Sequence, residues 1–588
     1  MAKHRLLRIP FLIVALTATM LVVGVACGSS AEPTAEPASQ PSSSSGGAPA
    51  PTAVPATSPP TAVKPTGKLT IAITDMGNET PSVWQEFAFG KAYMRFLYDA
   101  LTGTNDAGEV DKTTGAAKEW SMSSDARKWT FILRDNIKFH NGDQLTAEDA
   151  KFSIGLVTSE DSITSYKGTV KAAIADQDSI TVVSPTELVI NTSSPSGFLN
   201  WFISDIQGVE GLIQPKNYTE SVGNDEFAQN PVGSGPYKWV DQRKGDFMEM
   251  EAVDNHWRDG ASRFKTLLWR IIPEESTRIA ALKAGEVDVI SVSRERAPEL
   301  KADGLNIFSK EGASVLGLYF HEQWRDNSVW KDINVRKAFN LAINREEICE
   351  FVFAGQCSPA RTYPWPDIAP GTDNSLKPVA FDPVEAKRLL DASNYNGEEV
   401  AIRSYPRADV PEGPRFIEAV GAYLTDIGVN VKIIPTEYAS YRQERLAHTL
   451  DNGSGYLAAP NRPLAGFVGL MRVLNHTDGT FTSTHDPEID RLIEALEAGI
   501  APADVEAASI ALYQYMYAQY SHLTCCNMNI SYATNDKITS WDLGKRVWDD
   551  GFTNLVQRYV ESTSLESQSL QGGCSIHGTG TLAAHLRQ

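Results

Sequence analysis

His321-Glu322 opens like a zinc-hydrolase helix, but Gln323, Trp324 and Arg325 follow and the second histidine ligand never arrives. A hydrolase elbow spaces its glycines one residue away from the serine. Gly233-Ser234-Gly235 and Gly453-Ser454-Gly455 instead put them directly beside it, so both read as turns. No Gly-x-x-x-x-Gly-Lys loop is present to cradle a phosphate. His522 with Cys525 and Cys526 makes half of a metal site, yet adjacent cysteines chelate one ion poorly, and buried or disulfide-bonded thiols are expected there. These absences lower the case for an enzyme without excluding one, because catalytic groups can be dispersed along a chain; no metal or cofactor is expected. Binding is favoured over catalysis.

The composition narrows the partners. Lys plus Arg number 53 against 73 Asp plus Glu, a formal net charge of -20 that opposes nucleic-acid binding, which needs clustered cations. With 588 residues and 42% hydrophobic content, two or three packing units are expected rather than one core.

The N-terminus carries an address. Lys3, Arg5 and Arg8 precede an apolar run from Phe11 to Ala26. The run is shorter than the ~20 residues a spanning helix needs but suits a signal peptide. It ends in Val23-Gly24-Val25-Ala26-Cys27, which resembles the lipobox of bacterial lipoproteins, with Gly24 where Leu is commoner. The resemblance implies removal of residues 1–26, lipidation of Cys27 and a membrane-anchored, extracytoplasmic protein. A plain signal peptide or uncleaved anchor is the alternative. Residues 27–66 are rich in Pro, Ala, Ser and Thr and read as a disordered tether. Beyond Cys27 an odd set remains: Cys349, Cys357, Cys525, Cys526 and Cys574. Cys349 and Cys357 are spaced to join a helix end to its following loop, subject to geometry.

From Gly67 the pattern becomes globular. Lys68 to Ile73 alternates as a strand, and Leu188 to Ile190 and Val429 to Ile434 also read as strands. Thr146, Asp382 and Asp486 each cap a predicted helix, and Gly499 ends the last of these. The mixture predicts an α/β fold, and residues 564–588 read as a disordered tail.

Four ordered stretches carry a resemblance. They are Trp129 to Gly142 with Leu145 to Ala150; Asn230 to Tyr237; Ala280 to Asp288; and Val335 to Ile348. With Ala419 to Val431, they resemble bacterial extracellular solute-binding proteins of family 5, the dipeptide, oligopeptide and nickel-type binding lipoproteins, over roughly residues 67–560. The resemblance implies a periplasmic-binding-protein-like class II (type C) two-lobed clamshell. Lobe I would span 67–310 and include an extra domain, lobe II would span 311–520, and 521–563 would return to lobe I. It further implies a monomer that captures a peptide or other small solute between the lobes and delivers it to the permease subunits of an ABC importer. A surface receptor uncoupled from import is the alternative.

Peptide-binding relatives hold the ligand's ammonium with an Asp late in the second lobe. The corresponding stretch, Gly453 to Pro463, has no carboxylate and offers Arg462, which suits an anion. Trp324, Trp330, Trp365, Tyr405 and Tyr456 fall in the presumed second lobe, where aromatic faces suit amides, sugars or cations. Of these, Trp324, Trp365, Tyr405, Tyr456 and Arg462 are the expected ligand contacts.

Overall fold

The computed structural model describes residues 64–105, 108–206, 208–407, 409–543 and 552–556. The stretches expected to be a signal peptide and a disordered tail, Cys27, Cys574 and all but residues 64–66 of the expected tether lie outside these residues. No helix among the described residues is long and apolar enough to cross a membrane.

An eleven-stranded mixed sheet runs through the whole body. At its centre lie two long antiparallel strands, Asn306–Tyr319 and His522–Thr534, paired from Asn306↔Thr534 to Tyr319↔His522 with a register shift between Lys310 and Ser314. On one side follow Val289–Ser291, Lys68–Ile73, Thr266–Ile271, Phe247–Ala252 and Tyr237–Arg243. On the other follow Gly453–Pro460, Val400–Ser404 and Val431–Pro435. These two sides are the lobes of an α/β clamshell, and both long strands belong to each. The boundary expected at 310/311 falls inside the first of them, at its bulge. Bulges bend a strand locally, as a crossing between lobes requires. A separate antiparallel sheet of Ala117–Met122, Lys128–Leu133, Glu187–Asn191 and Ile180–Ser184 sits within the first lobe's chain segment.

Local chemistry accounts for most elements. Thr146 begins Ala147–Thr158 in a capping box, its backbone N–H donating to Asp149 Oδ2 at 2.8 Å. Asp382 Oδ1 accepts from Glu385 N at 2.9 Å to start Pro383–Asp391, and Asp486 caps Pro487–Ala498. Two readings are corrected. Gly233-Ser234-Gly235 is an irregular segment rather than a turn; a Cβ on Gly233 would stand 1.9 Å from Leu97 O, so close backbone approach demands the glycine. Gly453-Ser454-Gly455 is not a turn but the start of the strand Gly453–Pro460. A Cβ on Gly455 would meet Tyr441 Cζ at 2.5 Å, so packing rather than turn geometry selects it. Cys349 and Cys357 form a disulfide joining the helix Arg345–Phe351 to the strand Cys357–Pro359.

Candidate functional site

Parallel strands deliver their carboxyl ends to one edge of a sheet, and ligands in open α/β folds bind beyond such ends. Val400–Ser404 and Gly453–Pro460 are parallel, and Lys68–Ile73 is parallel to Thr266–Ile271. Asp75 follows one of these ends, Arg407 another, and Pro460 and Arg462 a third. All line a cavity of about 130 Å³ between the lobes, along with Phe89, Tyr166, Tyr438, Arg445 and Phe481. The first lobe supplies Asp75, Phe89 and Tyr166; the second supplies the rest.

The lobes touch around this cavity. Arg462 Nη1 donates to Tyr166 Oη at 3.0 Å, Thr169 Oγ1 to Gly469 O at 3.1 Å and Arg442 Nη2 to Ile163 O at 2.5 Å. Beside the long strands, buried Arg294 and Glu412 form an ion pair at 2.7 Å. The structure is thus a closed clamshell.

The electrostatics are positive. Arg407 lies over Phe89 (4.9 Å) and Tyr438 (5.3 Å) and is clasped bidentately by Asp409, both contacts at 2.8 Å. That neutralises one cation. Asp75 accepts from Gly77 N at 2.7 Å, and burial pushes its carboxyl up to about 6, so it gives up its charge more readily than a surface Asp. Behind it Glu86 is fully buried. It accepts from Asn78 N, Phe87 N, Thr80 N and Tyr93 Oη, and burial lifts it to about 7. Glu86 thereby pins the segment that carries Phe89 and Lys91 to the cavity wall.

Of the five expected ligand contacts, only Arg462 lines the cavity. Trp324 lies against His485, rings parallel at 3.9 Å, away from the lining. Trp365 is wholly buried, stacked on Phe467 at 5.6 Å. Tyr405 and Tyr456 stack at 4.6 Å, each hydroxyl donating to the other's carbonyl. Apolar bodies with satisfied polar tips make these tyrosines core residues; they support the wall from behind. Trp330 likewise stacks on Phe320 at 4.6 Å in the interior.

His522 Nε2 sits 2.8 Å from Asn475 Oδ1, and Cys525 and Cys526 are buried thiols. The metal-spaced group found among the described residues is Cys349, Cys357 and Cys526, two of which are spent on the disulfide. Asp75, Arg407, Tyr166, Phe481 and Arg445 were not anticipated. For Arg445 a signal existed: Tyr438, Tyr441, Arg442 and Arg445 follow the i, i+3, i+4, i+7 rule, so two arginines occupy core positions of one helix.

Two α/β lobes closing on a cation-rich cavity define a ligand-binding clamshell rather than a catalytic centre. The model for "Bacterial extracellular solute-binding proteins, family 5 Middle" matches residues 113–468, and the chain belongs to that family. Family 5 members are substrate-binding proteins of ABC transporters, not enzymes. Heme-binding protein A of Haemophilus influenzae is 25% identical over 66% of this chain and 73% of that protein. Dipeptide-binding protein DppE of Bacillus subtilis is 24% identical over 63% and 71% respectively. Among solved structures, AgaA of A. tumefaciens R10 with agropinic acid superposes with a TM-score of 0.71 at 20% identity, covering 84% of this chain and 98% of AgaA. DppA of Helicobacter pylori with the peptide STSA gives 0.71 at 18% identity, covering 82% and 98%.

Proposed function

We propose that this protein captures a small polar solute outside the cytoplasm and delivers it to the permease subunits of an ABC importer. It would act as a monomer tethered to the membrane by a lipid on Cys27. The observation that carries this reading is the interlobe cavity, whose wall is built from both lobes, so that a bound solute stabilises the closed form. The lobes are proposed to span 67–310 with 521–563, and 311–520. Arg462 is proposed to touch the solute while holding Tyr166 across the cleft. The named ligands of the similar proteins range from heme to dipeptides to agropinic acid, so solute identity rests on this chain's own lining.

The test uses whatever solute co-purifies with the full chain, identified by mass spectrometry. Re-adding it to stripped protein should reduce the radius of gyration in solution scattering. At ~100-fold excess over Kd it should add about 2.7 kcal/mol of stability. A solute that raises the melting temperature while scattering stays unchanged would overturn the closing mechanism.

A further inference from the structure

Buried arginines of the second lobe surround the interlobe cavity, and their partners differ. Arg407 is clasped by Asp409, a carboxylate of its own lobe, with both contacts at 2.8 Å. It carries that counter-charge with it whether the lobes are together or apart. Arg462 holds Tyr166 Oη across the cleft and Pro460 O within its own lobe at 3.3 Å. Arg445 packs over Phe481 at 4.4 Å and Tyr319 at 4.7 Å, both residues of the second lobe, so its surroundings travel with it.

Arg442 is the exception. It rises from the Tyr438–Leu446 helix of the second lobe, yet its guanidinium carbon lies 4.3 Å from the ring centroid of Phe87, and its Nη2 donates to Ile163 O at 2.5 Å. Phe87 and Ile163 both belong to the first lobe. With them in place only 1% of Arg442 is exposed. Among the described residues it has no ion-pair partner, and its Nη1 meets no acceptor. The carboxyls in its field, Glu86 and Glu210, are both raised by burial, which holds them toward the neutral form. Arg445, one turn along the same helix, adds like charge across a shared ring, since Arg442 lies 5.0 Å from Phe481. Burial accordingly pushes the pKa of Arg442 down to about 10.

These surroundings exist only while the lobes are closed. Separating them takes Phe87 and Ile163 away and returns the guanidinium to water. Closing therefore strips a cation of its hydration in exchange for one carbonyl and the face of Phe87. The ring returns part of that cost, but an unpaired charge is expensive to bury, and an apolar side chain of similar volume is often the more stable occupant.

We infer that Arg442 is an opening residue, a cation that closure desolvates without a counter-charge, so that the lobes stay shut only while a solute offsets the penalty. This rests on the solute-binding reading and adds the residue that sets the balance between capture and release. Arg442 does not line the cavity, so it acts through the lobes rather than by touching the solute.

Spin labels at Asp161→Cys and Ala447→Cys, exposed positions of the first and second lobes beside this contact, report the interlobe distance by pulsed electron paramagnetic resonance. The full chain is used, with Cys574→Ser to avoid a third label. Wild type stripped of co-purified solute should show a dominant open distance and a minor closed one. Arg442→Met, apolar and of similar length, should raise the closed-to-open ratio at least about 10-fold. Arg442→Gln, neutral but polar, should move the same way, and it carries the test if the Met variant misfolds. Arg442→Lys keeps the charge and should stay at the wild-type ratio or below it. As isolated, Arg442→Met should also hold more co-purifying solute per mole of protein by mass spectrometry. A merely structural arginine would lower the melting temperature on substitution without raising the closed fraction. A closed fraction that is unchanged or reduced in the Met and Gln variants would overturn the role of Arg442 and leave solute capture standing. A single distance in wild type, unmoved by re-adding the co-purified solute, would instead remove the closing mechanism itself.

Discussion

Glu86 shows how a single buried carboxyl can shape the behaviour of a cleft it does not line. Three backbone N–H groups and the Tyr93 hydroxyl converge on it, and a Cβ on Gly90 would stand 2.1 Å from its Cγ. Burial raises its pKa from 4.5 to about 7, so the folded chain keeps a proton that the unfolded chain has released. The stability linked to this group is fully present below pH 4.5 and is lost as pH rises through 7, up to about 3 kcal/mol in all. Wild type should therefore lose melting temperature between pH 5 and 8, and Glu86→Gln should flatten that slope whatever it does to absolute stability. Parallel pH profiles of the two proteins in thermal denaturation would disprove the assignment.

At the scale of elements, the segment after Val289–Ser291 is joined to the start of the Gly413–Asp426 helix by a buried charge pair. Arg294 Nη1 meets Glu412 Oε2 at 2.7 Å, Arg294 N donates to Glu412 Oε1 at 2.7 Å, and Arg294 Nε reaches Asn529 O at 2.6 Å on a long central strand. The contact spans the lobes where they share strands, so it braces the hinge rather than the rim. Glu412→Ala leaves the guanidinium buried with carbonyls alone and should cost about 3 kcal/mol in urea denaturation. A loss under ~1 kcal/mol would mean that water reaches the site and the pair is screened.

For the whole molecule, the two long strands let each lobe fold around its own core. Leu69, Phe96 and Trp269 belong to one, and Leu316, Phe339 and Phe416 to the other. A third cluster unites Tyr166 and Trp201 of the first lobe with Trp365 and Phe467 of the second. Opening the clamshell must separate part of this apolar contact, so closure combines lobe–lobe burial with whatever contacts the solute adds. The proposed anchoring is tested at the same scale. Cys27→Ala should release the protein from the membrane fraction or leave its signal uncleaved, whereas membrane-extracted mature wild type carrying no acyl mass would refute lipidation.

Caps, strand alternation and the family's ordered motifs were legible along the chain because each depends on residues within a few positions of one another. Thr146, Asp382 and Asp486 start their helices wherever they are placed, and four short motifs in order suffice for a two-lobed fold. The cavity wall was not legible. Tyr405, Tyr456 and Trp365 have the composition of ligand contacts, yet whether an aromatic ring faces a cleft or a core is settled by which lobe packs behind it. Gly455 looked like a turn until Tyr441, fourteen residues away, was found to occupy the space of its missing side chain. Arg445 carried a partial signal in its helical phase, but that its guanidinium lies against Tyr319 and Phe481, from a central strand and a distant loop, is decided only by the tertiary packing. Sequence determined the local elements and the class of fold; tertiary structure decided which charges were left over, because pairing of buried groups is a competition among residues distant along the chain.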